Sequence, residues 1–139
     1  MNSAVTDIAE LRALPLFSRL DDAGLRRVAD RAVELEIPAG QVLVHADDPG
    51  SGLFVILAGT ALVEARGETL IEVGPGEFVG ELALLVPQAT RSARVRAKSD
   101  VRCLAFFAGD FQELLEDEPG IALAMLPVLA ERLWDARAG

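Results

Sequence analysis

A carboxylate and a guanidinium ten positions apart, Glu81 and Arg91, bracket the part of this 139-residue chain best equipped for ligand chemistry. The segment reads Gly80-Glu81-Leu82-Ala83-Leu84-Leu85, then Val86-Pro87-Gln88-Ala89-Thr90, then Arg91-Ser92-Ala93-Arg94-Val95. Good helix formers after a glycine predict a short helix over 80–85, about a turn and a half long. Its first turn offers unpaired backbone N–H groups and the positive end of a dipole, a ready site for a phosphate. Gly80 permits close approach of the backbone to that anion. Arg91, at the start of the next strand, presents a planar fork that can pair with two phosphodiester oxygens. Glu81 is repelled by a phosphate, so it fits only if it accepts a hydrogen bond from a sugar hydroxyl while Arg91 offsets the charge. The three parts read phosphate, counter-cation and ribose.

Other reactive side chains carry less. His45 is the only histidine, and a lone histidine cannot build a zinc or iron site. That speaks against a cupin-like metalloenzyme. Cys103 has no cysteine to pair with and lies in an apolar run, so it reads as core packing and not as a nucleophile. No catalytic residue and no metal ligand is expected, and the chain is not read as an enzyme. Glu113, Glu116, Asp117 and Glu118 read as a solvated face. Trp134 suits either a lid over a bound base or a dimer seam.

The balance of 13 Lys and Arg against 22 Asp and Glu, a net charge of −9, repels nucleic-acid phosphates and excludes a basic DNA- or RNA-reading surface. An acidic chain that binds an anion must do so through local positive potential. Charges interrupt every apolar run before the roughly 20 residues that span a bilayer, so no membrane partner is expected. The N-terminus lacks a basic segment followed by an apolar one, and with a single cysteine the expectation is a reduced, cytoplasmic setting.

The elements that must position this segment follow from periodicity. A helical turn over 8–14 leads to Leu14-Pro15-Leu16-Phe17. Asp21 or Asp22 can cap a helix over 23–32. Strands are then predicted over 33–37, 42–46, 53–58, 60–65, 69–73, 92–98 and 101–107, with Gly/Pro punctuation between them. Asp110 and Glu113 have capping-box spacing and open a helix carrying Phe111, Leu114 and Leu115. A last helix over 119–136 contains Pro127, which should kink it. Short strands at near-regular spacing, flanked by helices, predict a single domain over 1–139: mainly β, a jelly-roll-like double-stranded β-helix (a β-roll) with N-terminal and C-terminal helices.

Gly80-Glu81-Leu82-Ala83-Leu84-Leu85 with Arg91-Ser92-Ala93 resembles the phosphate-binding cassette of the cyclic-nucleotide-binding domain family, and its spacing is similar to the catabolite activator branch. The likeness runs from Leu14-Pro15-Leu16-Phe17 through Pro38-Ala39-Gly40 to the C-terminal helices. It implies a β-roll that senses cAMP, with cGMP as the second candidate. Glu81 then matches the family glutamate on the ribose 2′-hydroxyl and Arg91 the arginine on the cyclic phosphate. Gly80, Leu82 and Ala83 match the first cassette turn, and Ser92 and Ala93 the positions completing the phosphate contacts. Leu70 matches an apolar wall of the base pocket. Arg94 stands where cGMP-preferring members often carry threonine, which favours cAMP. Pro87-Gln88-Ala89-Thr90 departs from the family by lacking a proline just before the arginine, and no helix-turn-helix follows the roll. The resemblance implies a non-catalytic sensor whose C-terminal helices pass the signal on, to a second copy in a homodimer or to a regulated partner protein. Two other readings remain: a nucleotide-free β-roll interaction module, and the sensor part of a truncated transcription regulator.

Overall fold

Strict alternation along the strands gives the largest sheet two buried faces. The computed structural model describes residues 3–4, 7–44, 52–65, 68–81 and 94–138. Its strands are β1 (Ser3–Ala4), β2 (Val33–Ile37), β3 (Val42–Val44), β4 (Gly52–Ala58), β5 (Ala61–Ala65), β6 (Glu68–Val73), β7 (Phe78–Val79), β8 (Arg94–Ala97) and β9 (Val101–Phe107). They form a five-stranded sheet in the order β1-β2-β9-β4-β7 and a four-stranded sheet in the order β3-β8-β5-β6. Every pairing is antiparallel. The helices are α1 (Ile8–Arg12), α2 (Asp22–Arg31), α3 (Ala108–Asp117) and α4 (Pro119–Ala138), with a 3₁₀ turn over Pro15–Phe17.

On β4, Leu53 and Val55 face the helices while Ile56 faces the other sheet; on β9, Leu104 and Phe106 face the helices while Val101 and Cys103 face inward. Two cores result. One joins the helices to the five-stranded sheet through Phe17, Leu25, Phe106, Phe111, Leu114 and Ile121, with Phe106 edge-on to both Phe17 and Phe111. The other fills the roll with Ile56, Ala61, Val73, Val79, Val95 and Ala97. This is the β-roll with flanking helices that the periodicity predicts.

Local chemistry explains most boundaries. Asp21 caps α2 by accepting from the Gly24 amide at 2.8 Å, and Asp7 caps α1 by accepting from Glu10 at 3.2 Å. The expected capping box at Asp110 is a correction: α3 starts at Ala108, its N-cap is Phe107 with no side-chain cap bond, and Asp110 lies in the first turn. β9 runs straight into the helix, so Asp110 acts on the dipole instead of closing the end. Two short strands escaped the sequence pattern, β1 and β7, because two residues show no period. The last helix runs from Pro119 to Ala138 through Pro127. The carbonyl that Pro127 leaves without an amide belongs to Leu123, on a turn whose side chain is 51% exposed, where water can serve it.

Candidate functional site

Strand β7 sets the position of the candidate site. Phe78 and Val79 are buried on opposite faces, paired with Val55 and Phe54 of β4. Ahead of β7 the chain reverses tightly. The Gly76 amide donates to the Ile56 carbonyl at 2.8 Å, the Ile56 amide donates to Glu77 O at 2.8 Å, and the Glu77 carboxylate accepts from the Gly74 amide at 2.8 Å. After β7, Gly80 turns the chain with φ +97°, and Glu81 is helical.

Gly80 has a structural reason that the sequence does not display. A Cβ there would stand 2.5 Å from the Gly52 carbonyl oxygen, on a backbone conformation that L side chains rarely adopt. The close approach is backbone on backbone, between the end of β7 and the start of β4.

Glu81 is 12% exposed and held by a residue the sequence pattern did not single out. Arg132, 19% exposed, donates to Glu81 Oε2 at 3.0 Å and to the Phe78 carbonyl at 2.6 Å. Its guanidinium also lies over the Phe78 ring, 4.7 Å from the centroid. A signal for it exists in the sequence: Ile121, Met125, Val128 and Arg132 share the inward face of α4, and an arginine on an apolar face must find buried partners.

Of the other predicted site residues, Leu82, Ala83, Arg91, Ser92 and Ala93 lie outside the described residues, as does His45. The convergence of Glu81 with Arg91 is therefore an expectation from the sequence. Leu70 sits on β6, 57% exposed, at a register shift where Val63 pairs with Ile71 and Glu64 with Thr69.

Arg94 requires a correction. Val95 and Ala97 point into the roll, so Arg94 and Arg96 point out. There both bond Glu64 of β5, Arg94 at 3.1 Å and Arg96 at 3.0 and 2.9 Å. The Arg96 hydrogen bond, helped by Arg94 and opposed by desolvation, lowers the Glu64 carboxyl below its ordinary value. Arg94 is thus accounted for by its ion pair with Glu64, and its presence is no argument for cAMP.

Among the described residues no group of three or more His, Cys, Asp or Glu is placed to hold a metal ion. The Cys103 thiol is pushed up to about 12, first by burial and then by the Glu34 charge, which leaves it protonated at neutral pH. Among the described residues no helix is long and apolar enough to cross a membrane.

The model of the cyclic nucleotide-binding domain family matches residues 34–118. The chain belongs to this family. An uncharacterized NTE family protein of Mycobacterium bovis is 32% identical over 128 residues, covering 91% of this chain and 22% of that protein. A cAMP-dependent protein kinase regulatory subunit of Hypocrea atroviridis is 32% identical over 111 residues, covering 80% of this chain and 24% of its own length. The chain thus spans about a quarter of these relatives or less. Among solved structures, the N-terminal domain of a transcriptional regulator from Streptomyces coelicolor superposes with a TM-score of 0.68 at 33% identity, covering 96% of this chain and 97% of that one. The fold is that of a cyclic nucleotide-binding regulatory domain.

Proposed function

We propose that this domain is a non-catalytic sensor of cAMP, with cGMP as the competing ligand. The observation that carries the reading is Glu81: a carboxylate at the end of a buried strand, at the glycine turn that opens the cassette, in contact with the last helix. Glu81 accepts the ribose 2′-hydroxyl. Arg91 neutralises the cyclic phosphate, helped by backbone groups of Gly80, Leu82 and Ala83 and by Ser92 and Ala93. Leu70 forms part of the wall beside the base. The name of the fungal kinase regulatory subunit supports cAMP. The cytoplasm, where such nucleotides are made and Cys103 stays reduced, is its place of action.

Isothermal titration calorimetry with cAMP and cGMP, on the wild type and Arg91→Ala, tests the assignment. Losing a charge-assisted hydrogen bond costs on the order of 2 kcal/mol, so the variant is expected to bind about thirtyfold more weakly. Equal affinities refute the role given to Arg91. No response of the wild type to either nucleotide favours the nucleotide-free interaction module.

The signal leaves through α4. Its inward face packs on the first core, while Leu123, Leu126, Leu133 and Trp134 lie exposed on the opposite side. A helix apolar on both sides is normally covered on both. Leu123, Leu126, Ala130 and Leu133 follow the alternating three-and-four spacing of a helix–helix seam. We infer that a second copy of the chain packs there, with a regulated partner protein as the alternative.

A further inference from the structure

We propose that Arg132 is the positioning residue for Glu81, and that it makes ribose recognition depend on the placement of α4. The inference rests on the sensor reading and adds to it a residue 51 positions downstream of the cassette glutamate.

Arg132 is held from two sides. Val128 and Met125, one and two turns earlier on α4, pack into the core and direct the guanidinium to the end of β7. There the Phe78 carbonyl accepts one hydrogen bond and the Phe78 ring lies under the cation. Phe78 is 2% exposed, so both anchors belong to rigid sheet. The other terminal nitrogen, Nη1, donates to Glu81 Oε2. Among the described residues Arg132 alone hydrogen-bonds the Glu81 carboxylate, and it does so through Oε2.

The arrangement also answers the electrostatic difficulty of a carboxylate near a phosphate. A guanidinium at 3.0 Å offsets the Glu81 charge and weakens its repulsion of the anion. Displacement of α4 removes the grip on Oε2, so nucleotide affinity and helix position become linked in both directions.

The test compares cAMP with 2′-deoxy-cAMP, which lacks the hydroxyl Glu81 accepts, by calorimetry on the wild type, Arg132→Ala and Arg132→Lys. Arg132→Ala is expected to weaken cAMP binding about tenfold and 2′-deoxy-cAMP binding, which loses only the offset of the Glu81 charge, about threefold. Arg132→Lys, which keeps the charge but not the fork, is expected to fall between the wild type and Arg132→Ala for cAMP. Should Arg132→Ala fail to give a cooperative melt, the same two-ligand comparison with Arg132→Lys decides the matter. Equal losses for both nucleotides overturn the proposal, because a merely structural arginine does not distinguish them. Tighter cAMP binding by Arg132→Ala also overturns it, because Arg132 then competes with the ribose. If the wild type binds cAMP and the variants match it with both ligands, the sensor reading stands and the role of Arg132 falls. If the wild type binds neither, the sensor reading fails and takes this one with it.

Discussion

Replacing Gly80 by alanine separates two reasons for a glycine at the head of the cassette: access for a phosphate, and packing of the roll on itself. The added methyl meets two penalties. A non-glycine residue in a sparsely populated positive-φ conformation costs about 1–3 kcal/mol, and at Gly80 φ is +97°. The methyl would also stand 2.5 Å from the Gly52 carbonyl oxygen, which cannot swing away as a flexible side chain could. Overpacking of this kind costs about 1–3 kcal/mol. Together they predict a loss of about 3 kcal/mol, or a fall in Tm of roughly 10 °C for a domain of this size. Two glycines supply the controls. Gly40 shares the positive φ, +89°, but a Cβ there has nothing within 4 Å, so Gly40→Ala should cost only about 1 kcal/mol. Gly109, in the first turn of α3, has neither handicap, and Gly109→Ala should stabilise by about 0.5 kcal/mol. Urea unfolding followed by circular dichroism, with unchanged m-values, gives all three differences on one scale. The reasoning is refuted if Gly80→Ala is no less stable than Gly40→Ala, for then the contact with Gly52 has no energetic weight.

The Glu64 carboxyl titrates below its ordinary value because Arg96 and Arg94 bond its charged form, so its contribution to stability is present above the ordinary glutamate range and is lost as pH falls through the lowered value. The Tm gap between the wild type and Glu64→Gln should therefore be full at neutral pH and close in acid; a gap that widens on acidification contradicts the assignment. Cys103, with its thiol at about 12, should resist a thiol reagent at neutral pH and react only as fast as the domain unfolds, whereas rapid labelling of native protein would show the packing around it to be wrong. Leu126→Glu places a charge in the middle of the outward face of α4, where Leu126 is 58% exposed. Sedimentation equilibrium should show a dimer reduced to a monomer with the fold retained, and an unchanged mass would exclude this face as the seam.

The residue pattern alone determined the β-roll, because period-two alternation with Gly/Pro turns is written locally and needs no partner to be read. It also singled out Gly80 and Glu81, since a glycine before a short helix-forming run has a meaning on its own. Tertiary structure decided what lies far apart in the chain. β2 pairs with β9 and β4 with both β9 and β7, contacts that depend on which faces can be buried together. The partner of Glu81 is Arg132, brought across by the docking of α4. Gly80 answers to the Gly52 carbonyl, a neighbour created only when β7 pairs with β4. Arg94 shows the converse: its place beside the cassette motif suggested a role in choosing the base, and the alternation of β8 turned it outward to Glu64. Local sequence encodes dihedral preference and the side on which apolar groups recur. Which distant groups meet is set by the summed burial of whole faces, and no short window of residues contains that sum.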